Sequence, residues 1–189
     1  IGASYMTMNN EFYDIINEQI RVRVEGEGDQ MVLRDPGLDA NRQAEQINSM
    51  LSMGISALIV TPVTADGLSD VLDRAQRLGV RVIVVDTELD RDGQADCTIV
   101  SDNFRAGYMI GEYMMKHQES GRILVLHHET ALSAYRRVEG FKSAIKTNPN
   151  FQIVKEISCK GQYEIALPLV EQYIEEGGDF DTALSLNDL

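Results

Sequence analysis

"GISALIVTPVTADGLSDVLDRAQRLGVRVIVVDTE", residues 54–88, decides the fold. Ala57 to Pro62 is a short apolar run that ends at a proline, which has no N–H to give a strand ladder. A helix is predicted from about Ala65 to Leu78, with Gly79 as its C-terminal stop. Val80 to Asp86 is then apolar, apart from Arg81 near its start, until its aspartate. Such β-branched runs suit a parallel strand buried on both faces. Strand, helix and strand in this order form a βαβ unit, and that unit implies a parallel sheet.

The alternation continues in both directions. Upstream, "IGASYM" (1–6) and "QMVLRD" (30–35) read as strands. Between them, Phe12, Tyr13, Ile15, Ile16, Ile20 and Val24 recur at roughly helical spacing, and Asn9 or Asn10 can cap that helix. Asp39 can cap the next helix, whose apolar positions Ala40, Ala44, Ile47, Met50 and Leu51 share a face until Gly54 ends it. Downstream, "CTIVSDN" (97–103), "RILVLHHE" (122–129), "FQIVKEISC" (151–159) and "TALSLND" (182–188) read as strands. Helices are predicted to start near Asn103 and to run from about 132 to 146 and from about 163 to 176. Eight strands alternating with helices describe an α/β fold with parallel sheets flanked by helices. Asn187 and Asp188 are good helix caps with no helix after them, so the fold is expected to continue past this sequence.

The charge balance narrows the function. Seventeen basic residues stand against 30 acidic ones, a net charge of −13 in 189 residues. Such a field repels phosphate backbones and anionic lipid, so no nucleic acid partner is expected. The longest apolar runs are far too short to span a bilayer, so no direct membrane insertion is expected. Cys97 and Cys159 form no CxxC and have no histidine at metal spacing, and both are expected to be separate, mostly buried thiols. No metal or cofactor is expected. Met109, Met114 and Met115, at helical spacing, read as core filler. No GxSxG, HExxH or P-loop appears, and no nucleophile–base pair, so the chain is not read as an enzyme.

In open parallel sheets, ligands bind outside the carboxyl ends of the strands. Asn9 to Tyr13 stand there after the first strand, and Asp86 and Thr87 after the fourth. Ser101, Asp102 and Asn103 follow the fifth. His127, His128 and Glu129 follow the sixth, with Arg136 and Arg137 in the next helix, and Asn187 and Asp188 follow the last. Carboxylates, amides, hydroxyls and an arginine fork suit a neutral polyol, and an aromatic face suits the C–H side of a sugar ring.

"TMNNEFYDII", "DANRQAEQINSMLSMGISALIVTPVTADGL", "RLGVRVIVVDTE", "VSDNFRAG" and "RRVEGF" follow one another in an order that resembles the periplasmic sugar-binding proteins of the ribose-binding type. That family feeds ABC transporters and is related to the effector domains of lactose-repressor-type regulators. The resemblance implies two Rossmann-like lobes, residues 1–102 and a truncated 103–189, closing on a sugar about a hinge. It implies an extracytoplasmic location (periplasm or lipid-anchored cell surface, with any signal sequence removed or not included) and a membrane permease of an ABC transporter as partner. The alternative is a ligand-sensing domain of the same fold in a regulator or signalling receptor. Carried over by motif, Asn10 bonds sugar hydroxyls, and Phe12 and Tyr13 stack on or wall the ring. Asp86 takes a hydroxyl pair beside Thr87, Ser101 is a weaker contact, and Arg137 and Asn187 reach in from the second lobe. The ribose type often has proline at Glu11 and arginine at Thr87, and an aromatic near Gly161–Gln162. These departures point away from ribose itself.

The residues also have plainer readings. Phe12 and Tyr13 can be core residues of the first helix. They point about 100° apart, so one is expected to face a ligand more squarely than the other. Asp86 can be a turn residue, Asp102 and Asn103 helix caps, and Arg137 half of a surface ion pair. Neighbouring His127 and His128 point to opposite faces of their strand and are not expected to share an ion.

Overall fold

The computed structural model describes residues 1–187. Two compact units divide between Val100 and Ser101. In the first, five strands pair in the order β2-β1-β3-β4-β5, all parallel. They are β1 (Gly2–Ser4), β2 (Val32–Arg34), β3 (Ala57–Val60), β4 (Arg81–Val85) and β5 (Cys97–Ile99). The helices between them are α1 (Glu11–Gly26), α2 (Ala40–Ser52) and α3 (Ser69–Arg77). This strand order places a topological switch point between β1 and β3.

The caps follow the sequence. Asn10 accepts from the Phe12 amide at 2.9 Å, and Asp39 from the Arg42 amide at 3.0 Å. Each satisfies a helix-terminal N–H that has no partner inside its own helix. Helix α3 starts at Ser69 rather than near Ala65. Residues 64–67 close a turn of their own, in which Thr64 Oγ1 accepts from the Gly67 amide, and Ala65 C=O is taken by the Asp90 amide.

Strand β4 is not buried on both faces. Val82 and Val84 are fully buried with Leu58 and Val60 beneath α2 and α3, while Ile83 and Val85 stay partly exposed. From α1, Tyr13 stacks on Tyr5, the residue that follows β1. The thiol expectation also needs correction. Cys159 is buried, but Cys97 lies exposed on the edge strand β5.

The second unit has three parallel strands in the order β7-β6-β8: β6 (Gly121–His127), β7 (Phe151–Ser158) and β8 (Thr182–Ser185). Its helices are α4 (Asn103–His117), α5 (Leu132–Ile145) and α6 (Tyr163–Glu175). Phe141, Ile123, Val125, Phe151 and Met114 fill the core, whereas Met109 is exposed rather than core filler. Helices α4 and α5 touch backbone to backbone. A Cβ on Gly107 would stand 1.7 Å from the Arg137 carbonyl oxygen, and one on Gly140 would stand 2.0 Å from that of Phe104. No other residue fits either position.

Candidate functional site

In the first unit, the turn after β1 and the end of β4 meet through side chains. The Tyr13 hydroxyl donates to Asp86 Oδ2 at 3.0 Å. The Tyr13 ring stacks on Tyr5 with centroids 5.7 Å apart and meets Phe12 edge-on at 5.3 Å. Burial and the Asp86 charge hold the Tyr13 phenol protonated far above the ordinary tyrosine range, and burial raises Tyr5 to about 12. Both rings are therefore neutral at physiological pH, and Tyr13 serves Asp86 as a donor.

Asp86 itself is strained. Its φ is 73°, and the Thr87 amide bonds back to the Val85 carbonyl at 2.9 Å, closing a three-residue turn around it. That turn with positive φ is rare for a residue bearing a Cβ. Such strain clusters at ligand-binding sites and costs about 1–3 kcal/mol. The surroundings enforce it. The Asp86 amide donates to Ile99 C=O at 2.9 Å, and Thr87 is buried. The loop that follows is pinned to α3 by Gln94 on Ser69 C=O and Asp73, by Arg91 on Asp73, and by Gln76 on Gly93 C=O.

One residue that shapes this edge went unnoticed in the sequence. Gln43 of α2 is fully buried, and its amide holds the ends of β1 and β3 together. Nε2 donates to Thr61 C=O at 2.9 Å and to Ser4 Oγ at 3.2 Å, and Oε1 accepts from the Val63 amide at 2.8 Å. The available signal was a polar residue inside the apolar stripe Ala40–Ala44–Ile47.

Phe12 and Tyr13 divide as their angular spacing implies. Phe12 is 49% exposed and Tyr13 only 5%. Phe12 is therefore the open ring of the pair, and Tyr13 the ring packed inside the unit. Asn10 uses Oδ1 for the helix cap, so its Nδ2 is the atom left to serve a ligand hydroxyl.

In the second unit, Arg137 is the centre. Its Nη2 donates to Asn103 Oδ1 at 2.6 Å and its Nη1 to the Leu186 carbonyl. It makes no surface ion pair among the described residues: both partners are neutral oxygens. Asn103 is buried and in turn donates, through its amide and Nδ2, to Ser101 C=O at 2.8 and 3.1 Å. Asp102 caps α4 by accepting from the Arg105 amide. Asn187 Nδ2 donates to Gly161 C=O at 3.2 Å, across a turn in which Lys160 and Gly161 both have positive φ. Ser101, Arg137 and Asn187 are thus gathered by way of Asn103 and the Leu186 backbone. His128 is buried, and its pKa is lowered first by that burial, then by Lys160 and His127 against the pull of Glu129. Ser158 donates to Glu129, the carboxylate that acts on His128.

Each unit therefore collects its sequence-read polar residues at the carboxyl ends of its parallel strands. The sequence profile of the periplasmic binding protein domain matches residues 1–189, the whole chain. The chain belongs to that family. It is 23% identical over 190 residues to the ribose import binding protein of Bacillus subtilis, covering 100% of this chain and 61% of that protein. Among solved structures, it superposes with a TM-score of 0.89 on the periplasmic binding protein of the arabinose ABC transporter from Shewanella sp. ANA-3, bound to α- and β-L-arabinofuranose. That match has 25% identity and covers 99% of this chain and 64% of that one. It matches the Caulobacter myo-inositol binding protein, bound to myo-inositol, with the same TM-score of 0.89 at 21% identity, covering 99% of this chain and 65% of that one. This member of the periplasmic binding protein family thus spans about two thirds or less of these relatives' lengths. No helix among the described residues is long and apolar enough to cross a membrane.

Proposed function

We propose that this periplasmic binding protein captures a monosaccharide or related polyol outside the cytoplasm and presents it to the permease of an ABC transporter. The observation that carries the reading is Asp86: a carboxylate held in a strained turn at the carboxyl end of β4, gripped by a neutral phenol. A carboxylate accepts two neighbouring hydroxyls, and the Tyr13 phenol donates to only one of its oxygens. The named substrates of the relatives, ribose, arabinofuranose and myo-inositol, support the same ligand class.

The binding step needs no covalent chemistry. Asn10 Nδ2 and Asp86 take hydroxyls, with Thr87 at their side, and Phe12 covers the apolar face of the ring. Arg137, Ser101 and Asn187 supply the contacts of the second lobe. A ligand that bridges two lobes favours their closed state by its differential affinity, and periplasmic binding proteins are established cases of such hinge closure. The closed form is what a permease would read.

A thermal-shift screen of the intact protein with pentoses, hexoses and inositols tests the reading. One or more neutral polyols is expected to raise Tm in a saturable way. A flat response across the panel would contradict it, and turnover of any sugar would replace binding with catalysis.

A further inference from the structure

We propose that Tyr13 is a positioning residue for Asp86, acting on the ligand through that carboxylate rather than by touching it. The proposal rests on the sugar-binding reading and sharpens it.

Three observations converge. The Tyr13 ring is 5% exposed, against 49% for Phe12. Its hydroxyl sits 3.0 Å from Asp86 Oδ2, linking the first turn of α1 to a strand end two places away in the sheet. Its ring is clamped between Tyr5 and Phe12. Tyr5 in turn follows Ser4, which Gln43 fixes to the end of β3.

The chain of cause runs from a buried amide, through a strand end and a ring stack, to the orientation of a carboxylate. Asp86 has a backbone that its neighbours force to φ 73°, but nothing in a backbone sets the rotation of the carboxylate plane. The phenol contributes a fixed donor on one of its oxygens. A donor fixed on one oxygen selects one orientation of the other lone pairs, and preorganised acceptors lose less on binding than mobile ones. A lysine or arginine in the same place would orient the group but also compete for its charge. A phenylalanine would fill the volume and remove this donor from Asp86 Oδ2.

The test is a double-mutant cycle on the intact protein with Tyr13→Phe, Asp86→Asn and both together. Each form is titrated calorimetrically with D-ribose, L-arabinose and myo-inositol. Tyr13→Phe keeps the ring and removes one oxygen. It is expected to weaken binding of the accepted sugar about tenfold, the scale of one hydrogen bond to a charged group. In the Asp86→Asn background the same change is expected to cost nothing further. Wild-type affinity in Tyr13→Phe, or losses that simply add, would overturn the proposal.

A second readout is independent of sugar. In protein carrying 13C-labelled tyrosine, the Tyr13 resonance, assigned by its absence in Tyr13→Phe, is titrated with base. Asp86→Asn is expected to let Tyr13 ionise at lower pH than in wild type, and an unmoved titration would overturn the Tyr13–Asp86 link. If none of the three sugars binds wild type, the sugar reading fails for them, and the titration alone decides the role of Tyr13.

Discussion

In the first unit a carboxylate, Asp86, is held at a strand end by a phenol, behind which a buried amide ties two strands. In the second a guanidinium, Arg137, is held by two neutral oxygens, on a helix that touches its neighbour backbone to backbone. The first edge is fixed by side-chain hydrogen bonds, so its geometry depends on polar atoms being satisfied. The second is fixed by close approach at two glycines, so its geometry depends on missing atoms. A functional group can be preorganised by either means, but the two fail to different substitutions.

The largest difference is expected at Gly107. Gly107→Ala places a methyl group 1.7 Å from the Arg137 carbonyl oxygen, which is backbone and cannot swing aside. Helices α4 and α5 must separate, at a cost at or above the usual 1–3 kcal/mol of overpacking, so at least about 3 kcal/mol. Urea unfolding checks this, and hydrogen exchange should place the loss in the second unit. Full protection there would break the comparison.

Gln43→Leu is the counterpart in the first unit. It conserves approximate volume but strips the Val63 amide and the Thr61 carbonyl of a buried partner. Each unsatisfied group costs about 1–3 kcal/mol, so a loss of about 2–6 kcal/mol is expected, confined to the first unit in exchange experiments. Ligand affinity should fall with it, because the strand ends carry Tyr5 and the turn before α1.

The smallest effects are pH limbs of opposite sign. His128 in the second unit has a native pKa below its ordinary 6.5. Its contribution is fully present above about pH 6.5 and is lost as pH falls through the lowered native value, because the unfolded chain takes up the proton first. Tyr5 in the first unit is raised from 10.0 to about 12. Its contribution is fully present below pH 10 and is lost as pH rises toward 12, where the unfolded phenol ionises first. Unfolding free energies measured across pH should lose the acid limb in His128→Gln and part of the alkaline limb in Tyr5→Phe. Neither substitution should change the other limb.

Most of the fold was readable from periodicity and punctuation. Runs such as 80–86 with glycine or proline at their ends identify strands and helices, and Asp39, Asp102 and Asn10 cap helices as their residue types suggest. What escaped depends on partners distant in sequence. Which of Phe12 and Tyr13 turns inward is set by Tyr5 and Asp86, not by the local pattern. Gly107 and Gly140 look like weak spots in helices until their partner backbones are known. Gln43 stands in the apolar stripe of α2 with no visible reason until the strand ends it bonds are in place. The late start of α3 came from a turn that Thr64 closes locally and that the Asp90 amide ties at Ala65 C=O from far along the chain. Of the candidate site, the residue types and the strand ends were legible, and the division of labour was not.

Isothermal titration of the intact protein and its Asp86→Ala variant with the sugar that stabilises wild type most bears directly on the central claim. Hydrogen bonds to a charged group are worth about 1.5–3 kcal/mol each, so the variant should bind at least about tenfold more weakly. Equal affinity in the two proteins would mean that Asp86, strained and gripped as it is, does not hold the ligand.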